Sequence, residues 1–405
     1  IWLRMGSFGP VRVLVGDASP TPNAPFDLVE NQYSLLDRTD LVFVDAPDTG
    51  FSRILGAAKP SDFFGADPDV SAFAQFVSRY ISAFDRWNSP KFLFGESYGT
   101  PRSAMLVNAL QSQGIGINGV VLLSAILDFS LDWDVNFTPT AIGGGDWAFP
   151  LYLPTEAAAS WYHRALPGSS TSLAAFLPQV EDFAMHEYLN ALAQGARLSP
   201  GTYNDVVAKL HAYTGLSPRY IRDSNLRIPY WRYQTELFRS SGEMTGRLDA
   251  RYTSYMLDRI NDRADFDATD AAMDAAYVAA GNYFMRDVLG YRTDLVYRPL
   301  VNVFSQWDWK HNGNLPTNTA QDLARAMAYN PNLRVFAGGG YYDFATPFFA
   351  TMYTLNHLNL SPELQKNITY GFYESGHMVY LHVPALAQFH DDLERWYAQT
   401  LQAGR

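Results

Sequence analysis

One pentapeptide constrains this chain more than any other stretch: Gly95-Glu96-Ser97-Tyr98-Gly99. It fits the pattern G-x-S-x-G. It follows the apolar run Phe92-Leu93-Phe94, which reads as a buried strand, and precedes a helical pattern from Pro101 to Gln113. A serine on a strand-to-helix turn sits in a strained conformation. The flanking glycines let strand and helix approach closely. Such a turn lifts the hydroxyl above the sheet edge, and the N–H of the next residue, Tyr98, then faces the oxygen on which negative charge develops. The five residues alone arise by chance in many chains. The strand before and the helix after give them weight.

The surrounding pattern supplies a sheet for this turn. Val11–Val15 reads as a short strand, followed by a loop rich in Pro, Asp and Asn from Gly16 to Asn31. Leu41-Val42-Phe43-Val44 is an unbroken apolar run, as expected of a strand buried on both faces. Val70, Phe73, Phe76, Val77, Tyr80, Ile81, Phe84 and Trp87 recur at helical spacing, and Asp69 just before them suits a helix N-terminus. Val120–Leu123 reads as the next strand. Strands alternating with helices imply a mostly parallel central sheet flanked by helices. After Asp128 the rhythm breaks, and residues 129–293 carry helical patterns with few strand-like runs, as in a helical cap insertion. The alternation resumes near Val301, with strands at Leu333–Phe336 and Ile368–Phe372 and a final amphipathic helix at Val383–Leu401. Thr346-Pro347 reads as the N-cap and first residue of a helix. The expected organisation is therefore a core in two parts, 1–128 and 294–405, separated by the insertion.

Composition narrows the classes. Of 405 residues, 47% are hydrophobic and 18% charged, a globular balance, and the net charge of -11 disfavours non-specific nucleic-acid binding. No apolar run reaches the roughly 18 residues that span a bilayer. There is no cysteine, which excludes a thiol nucleophile, a zinc–thiolate site and disulfides. The chain begins at Ile1 inside an apolar stretch with no visible signal peptide. The expectation is an exported protein whose leader lies upstream.

A serine hydroxyl needs a base, and the base an orienting acid. In folds built on this elbow the chain order is Ser, then Asp or Glu, then His. Of eight histidines, His377 lies in the loop Glu374-Ser375-Gly376-His377-Met378, just after a strand and before the last helix. His382 and His390 are its rivals, and His390 falls within the final helix. His163, His186 and His211 fall in the insertion, and His311 and His357 precede the last strand. Asp343 follows the strand Leu333–Phe336 and lies 34 residues before His377, with Asp308 and Asp128 as alternatives.

The segments around Gly95–Gly99, Asp343 and Gly376-His377-Met378 resemble those of the serine carboxypeptidases. Gly6-Ser7-Phe8-Gly9-Pro10, Asn31-Gln32-Tyr33-Ser34 and Val44-Asp45 through Gly50-Phe51-Ser52 are similar to blocks of that family. Tyr341-Tyr342-Asp343-Phe344-Ala345-Thr346-Pro347 is most like its bacterial branch. Glu96 is more telling than the elbow, since most α/β hydrolases lack it. The resemblance implies an α/β-hydrolase fold with a cap insertion. The family's Asn-Gly-Gly-Pro-Gly loop, which supplies a second oxyanion N–H, is absent, and the N-terminal strands read as truncated. It further implies a peptidase that acts through an acyl-enzyme on peptides with a free C-terminal carboxylate. Ser97, Asp343 and His377 would form the triad and Tyr98 the oxyanion donor. Glu96 would bind the terminal carboxylate, one of the two carboxyl groups holding a proton, and Met378 would line the pocket or fill the core. No metal or organic cofactor is implied. An acyltransferase on the same scaffold, an esterase or aminopeptidase, and a non-catalytic binding protein are the rival readings.

Overall fold

The computed structural model describes residues 1–131, 145–168 and 171–403, so 132–144 and 169–170 of the expected insertion lie outside the described residues. In chain order, an antiparallel pair β1 (Val11–Val13) and β2 (Leu28–Glu30) is followed by α1 (Ala66–Ala83), β3 (Phe92–Glu96), α2 (Gly99–Ser112) and β4 (Gly119–Leu123). Then come α3 (Ala148–Tyr162), α4 (Leu173–Phe183), α5 (Leu189–Gln194), α6 (Pro200–Thr214), α7 (Pro218–Asp223), α8 (Tyr230–Glu236), the hairpin β5 (Glu243–Thr245) and β6 (Thr253–Tyr255), and α9 (Ala268–Tyr283). The chain closes with α10 (Ala320–Tyr329), β7 (Arg334–Gly340), α11 (Phe348–Asn356), α12 (Pro362–Gln365), β8 (Ile368–Tyr373) and α13 (Val383–Ala403).

A four-stranded parallel sheet, β3-β4-β7-β8, forms the centre of this mixed α/β structure. Its faces follow from strand periodicity. Val120 and Leu122 of β4 point to one side, where they pack with Val335 and Ala337 of β7 against α2 and α10. Val121 and Leu123, with Phe336, point to the other side and meet Leu386, Phe389, Leu393 and Trp396 of α13. All four side chains of β4 are buried because both faces are covered, which is why its sequence is unbroken Val and Leu. A third cluster is made chiefly by α3 to α8. It also takes in Tyr342, Phe344 and Phe348 from the segment after β7.

Several local expectations differ from the structure. Leu41–Val44 forms no strand, and Val42, Phe43 and Val44 are exposed. This segment makes no ladder with β3. A groove of about 550 Å³ is lined by both, and without a ladder or a second covering layer the run stays irregular. Because β3 is an edge strand among the described residues, Phe92, Leu93 and Phe94 are only half-buried. The loop Gly16–Asn31 contains β2, which pairs with β1. Residues 301–319 form an irregular connection, and the alternation resumes at α10. Asp69 does lie in the first turn of α1, as expected of an acid at a helix N-terminus; it is also buried and accepts two hydrogen bonds of 2.6 and 3.1 Å from Arg102 of α2. Thr346 does not cap α11. Pro347 occupies the cap position, and the Thr346 hydroxyl is turned elsewhere. Among the described residues no helix is long and apolar enough to cross a membrane.

Candidate active site

Ser97 sits at the C-terminal end of β3 with φ of +54°, the left-handed region that a side chain rarely adopts. Its N–H donates to Leu123 O at 3.0 Å, and its carbonyl accepts from the Thr100 N–H and hydroxyl at 2.8 and 2.7 Å. These bonds hold the turn against its strain. The two glycines are unequal. A Cβ on Gly95 would lie 2.0 Å from Gly99 O, whereas a Cβ on Gly99 meets nothing within 4 Å. The Tyr98 N–H makes no hydrogen bond among the described residues and stays available as a donor. The Tyr98 ring packs edge-on against Trp307 at 5.1 Å and Trp309 at 6.1 Å, and Arg102 lies 5.4 Å over it. These partners fix the first turn of α2.

Asp343 and His377 leave the same edge of the sheet, three and four residues beyond the ends of β7 and β8. His377 Nδ1 lies 2.8 Å from Asp343 Oδ2, and both side chains are buried. Asp343 is fully satisfied. Its Oδ1 accepts from the N–H groups of Ala345 and Thr346 at 2.7 and 3.0 Å, and its Oδ2 from the Thr346 hydroxyl at 2.7 Å. A buried carboxylate needs this number of donors. The Thr346 hydroxyl also lies 3.1 Å from His377 Nδ1, so it braces the pair.

β8 is the strand farthest from β3, about 14 Å away at the usual strand spacing. The histidine loop closes that distance by folding back across β7. A Cβ on Gly340, at the end of β7, would lie 2.0 Å from Ser375 O, so only glycine admits the crossing. The His377 carbonyl then accepts from the Ser124 hydroxyl at 2.6 Å. Ser124 directly follows Leu123, to which Ser97 is bonded. The histidine loop is thereby tied to the end of β4, the strand that also holds the elbow. Ser97 Oγ and His377 Nε2 make no hydrogen bond among the described residues. Such bonds commonly tighten when substrate binds.

Burial pulls the imidazole of His377 down, but the charge and hydrogen bond of Asp343, helped by Glu96, outweigh it and raise His377 above its ordinary value. Glu96 is pushed up to about 7 from an ordinary 4.5, chiefly by burial, with the charge of Asp343 adding to it. His377 and the Tyr380 hydroxyl, 2.9 and 3.1 Å from its two oxygens, act in the other direction. Glu96 and His377 are close enough that their titrations are coupled.

The remaining candidates are placed differently. Met378 is buried in the cluster against α13, which fits packing. Asp128 accepts from Ser130, and the Asp308 carboxylate from the Lys310 N–H; neither meets His377. His382 pairs with Asp17, His311 bridges Asp67 and Asp322, and His390 faces Asp391. Thr346, Tyr380, Ser124 and Gly340 were invisible as site residues in the sequence. A run of three glycines at the end of β7 is the one local hint of a close crossing.

No protein-family model and no curated protein matches the chain. Among solved structures, the crystal structure of VinJ matches at 14% identity over 84% of this chain and 75% of that one, with a TM-score of 0.32. A likeness this weak carries no argument.

Proposed function

We propose that the chain is a serine hydrolase of the α/β-hydrolase type, and that it acts as a serine carboxypeptidase. The observation that carries the reading is the buried His377–Asp343 pair, folded back over β7 and tied through Ser124 to the strained elbow of Ser97. In this reading Ser97 Oγ gives its proton to His377 Nε2 and attacks the scissile carbonyl. The charge formed on the carbonyl oxygen is met by the Tyr98 N–H. His377 passes the proton to the departing amine, and water then releases the acyl group by the same route. Asp343 holds the imidazole tautomer with Nε2 free to accept and stabilises the imidazolium.

Glu96 supports the narrower assignment to peptide C-termini. It directly precedes the nucleophile in the chain, and its carboxyl, held near 7, carries a proton below neutral pH. A neutral carboxyl can donate to a carboxylate, whereas a charged one would repel it. The test uses a blocked dipeptide as the free acid and as its C-terminal amide. Release of the last residue from the acid alone, abolished by Ser97→Ala, is the expected result. Equal cleavage of both, or of neither, overturns the proposal.

A further inference from the structure

The histidine loop 374–378 and the acid loop 341–346 carry the two groups whose mutual geometry matters most, and neither belongs to a helix or strand. Their buried backbone N–H and C=O groups must find partners outside regular structure. The inserted segment Arg247–Ala250 supplies them. Phe344 N–H donates to Arg247 O at 3.0 Å, and Ala250 N–H donates to Tyr342 O at 2.9 Å, so the residues on both sides of Asp343 are gripped. His377 N–H donates to Leu248 O at 2.6 Å, and Gly376 N–H donates to Asp249 Oδ2 at 3.1 Å. Four consecutive residues of the insertion thus hold both the acid and the base.

One of these contacts is made by a side chain, and it is buttressed. Asp249 is wholly buried. Arg251 grips its carboxylate through Nε at 3.0 and 3.1 Å and Nη2 at 2.7 Å, and its own side chain is 2% exposed. Arg251 Nη1 reaches on to Asp17 at 3.0 Å, which is held in turn by His382 at 2.8 Å. Thr269 Oγ1 accepts from the Asp249 N–H at 3.0 Å. At Gly376 a Cβ would lie 2.3 Å from Asp249 Cβ, so the loop has been brought into direct contact with this residue. A buried ion pair often contributes little more to stability than well-packed apolar groups of the same size. Its geometry, locked at both ends, suits alignment.

We propose that Asp249, locked by Arg251, is a positioning residue for His377: from the insertion it fixes the peptide unit that carries the imidazole toward Ser97. This rests on the hydrolase reading given above and deepens it, because it makes the insertion part of the alignment of the base.

The test compares two double variants that both lack the buried charge pair. Asp249→Asn with Arg251→Met keeps an oxygen to accept from Gly376 N–H, and Asp249→Ala with Arg251→Met does not. The readouts are the second-order rate of Ser97 labelling by a fluorophosphonate, the split of kcat from KM on the blocked dipeptide, and the His377 Nδ1–H proton resonance. A misplacement on the order of 1 Å costs about 100-fold in rate. The alanine variant is therefore expected to label about 10- to 100-fold more slowly than the asparagine variant, with kcat reduced, KM unchanged and the Nδ1–H resonance broadened or lost. Equal labelling and equal resonances in the two overturn the proposal. If the alanine variant does not fold, amide exchange in the natural chain decides. Gly376 and His377 amides exchanging as slowly as those of β8 support the clamp, and open-loop rates refute it. If fluorophosphonate fails to label the natural chain, the hydrolase reading falls, and the resonance and exchange measurements still judge the clamp.

Discussion

Replacing Glu96 by Gln tests the link between burial, proton and substrate most directly. With its carboxyl near 7, the neutral fraction of Glu96 is about 0.9 at pH 6, about 0.1 at pH 8 and about 0.01 at pH 9. If only the neutral form accepts a substrate carboxylate, kcat/KM for a blocked dipeptide acid is scaled by this fraction, a factor that falls roughly 10-fold from pH 6 to 8 and again by pH 9. The acid limb of the same profile reports protonation of His377, whose imidazole is raised above its ordinary value. Glutamine is neutral at every pH, so Glu96→Gln should remove the alkaline limb. It should lose about 3- to 10-fold at acidic pH, where a strong O–H to carboxylate bond is replaced by a weaker amide donor. The two profiles should cross between about pH 7.3 and pH 8, where the neutral fraction of Glu96 has fallen to the variant's relative rate, leaving the variant the faster enzyme at pH 9. Persistence of the full alkaline limb in Glu96→Gln refutes the assignment. Stability gives an independent check. The folded value lies above the ordinary 4.5, so the folded form holds a proton that the unfolded chain has released. Stability therefore falls as pH rises from about 4.5 to about 7, by at most about 3 kcal/mol, and Glu96→Gln removes that slope in urea titrations.

Three further outcomes follow from single contacts. Gly95→Ala should cost about 3 kcal/mol or prevent folding, because its Cβ overlaps the Gly99 carbonyl, while Gly99→Ala should be nearly neutral; urea midpoints compare them, and equal losses would refute the steric account of the elbow. Tyr380→Phe removes the hydroxyl that favours ionised Glu96, so the alkaline limb of kcat/KM should move to higher pH; an unmoved or lowered limb contradicts this. Glu156, buried in α3, is pushed up to about 8 by desolvation, so the fold should lose on the order of 5 kcal/mol as pH climbs from about 4.5 past 8. Unfolding energies at pH 5 and pH 9 should differ less in Glu156→Gln than in the natural chain, and equal differences would refute the burial argument.

Much of the core is legible because it depends on local pattern. The unbroken Val and Leu of β4 require two covered faces, and both are covered. The pentapeptide around Ser97 marks a strand–helix junction, since few sequences tolerate that turn, and the pairing of Asp343 with His377 follows from chain order and spacing. The same local logic misleads where partners are missing. Leu41–Val44 has the residues of a buried strand, but a strand is defined by its neighbours, and this segment has no ladder. Thr346 before Pro347 looks like a cap, yet a buried carboxylate three residues earlier competes for its hydroxyl and prevails.

The sequence by itself determined the elbow, the alternating layers and a short choice of acids and bases. Tertiary structure decided what surrounds them: the crossing at Gly340, the Ser124 tether, the Tyr380 hydroxyl on Glu96 and the grip of Arg247–Ala250 on both loops. Each joins residues distant in sequence, such as Gly376 and Asp249, 127 positions apart. Local propensity records what a residue can do next to its chain neighbours. It carries no information about which buried donor will lack a partner until the whole chain has packed.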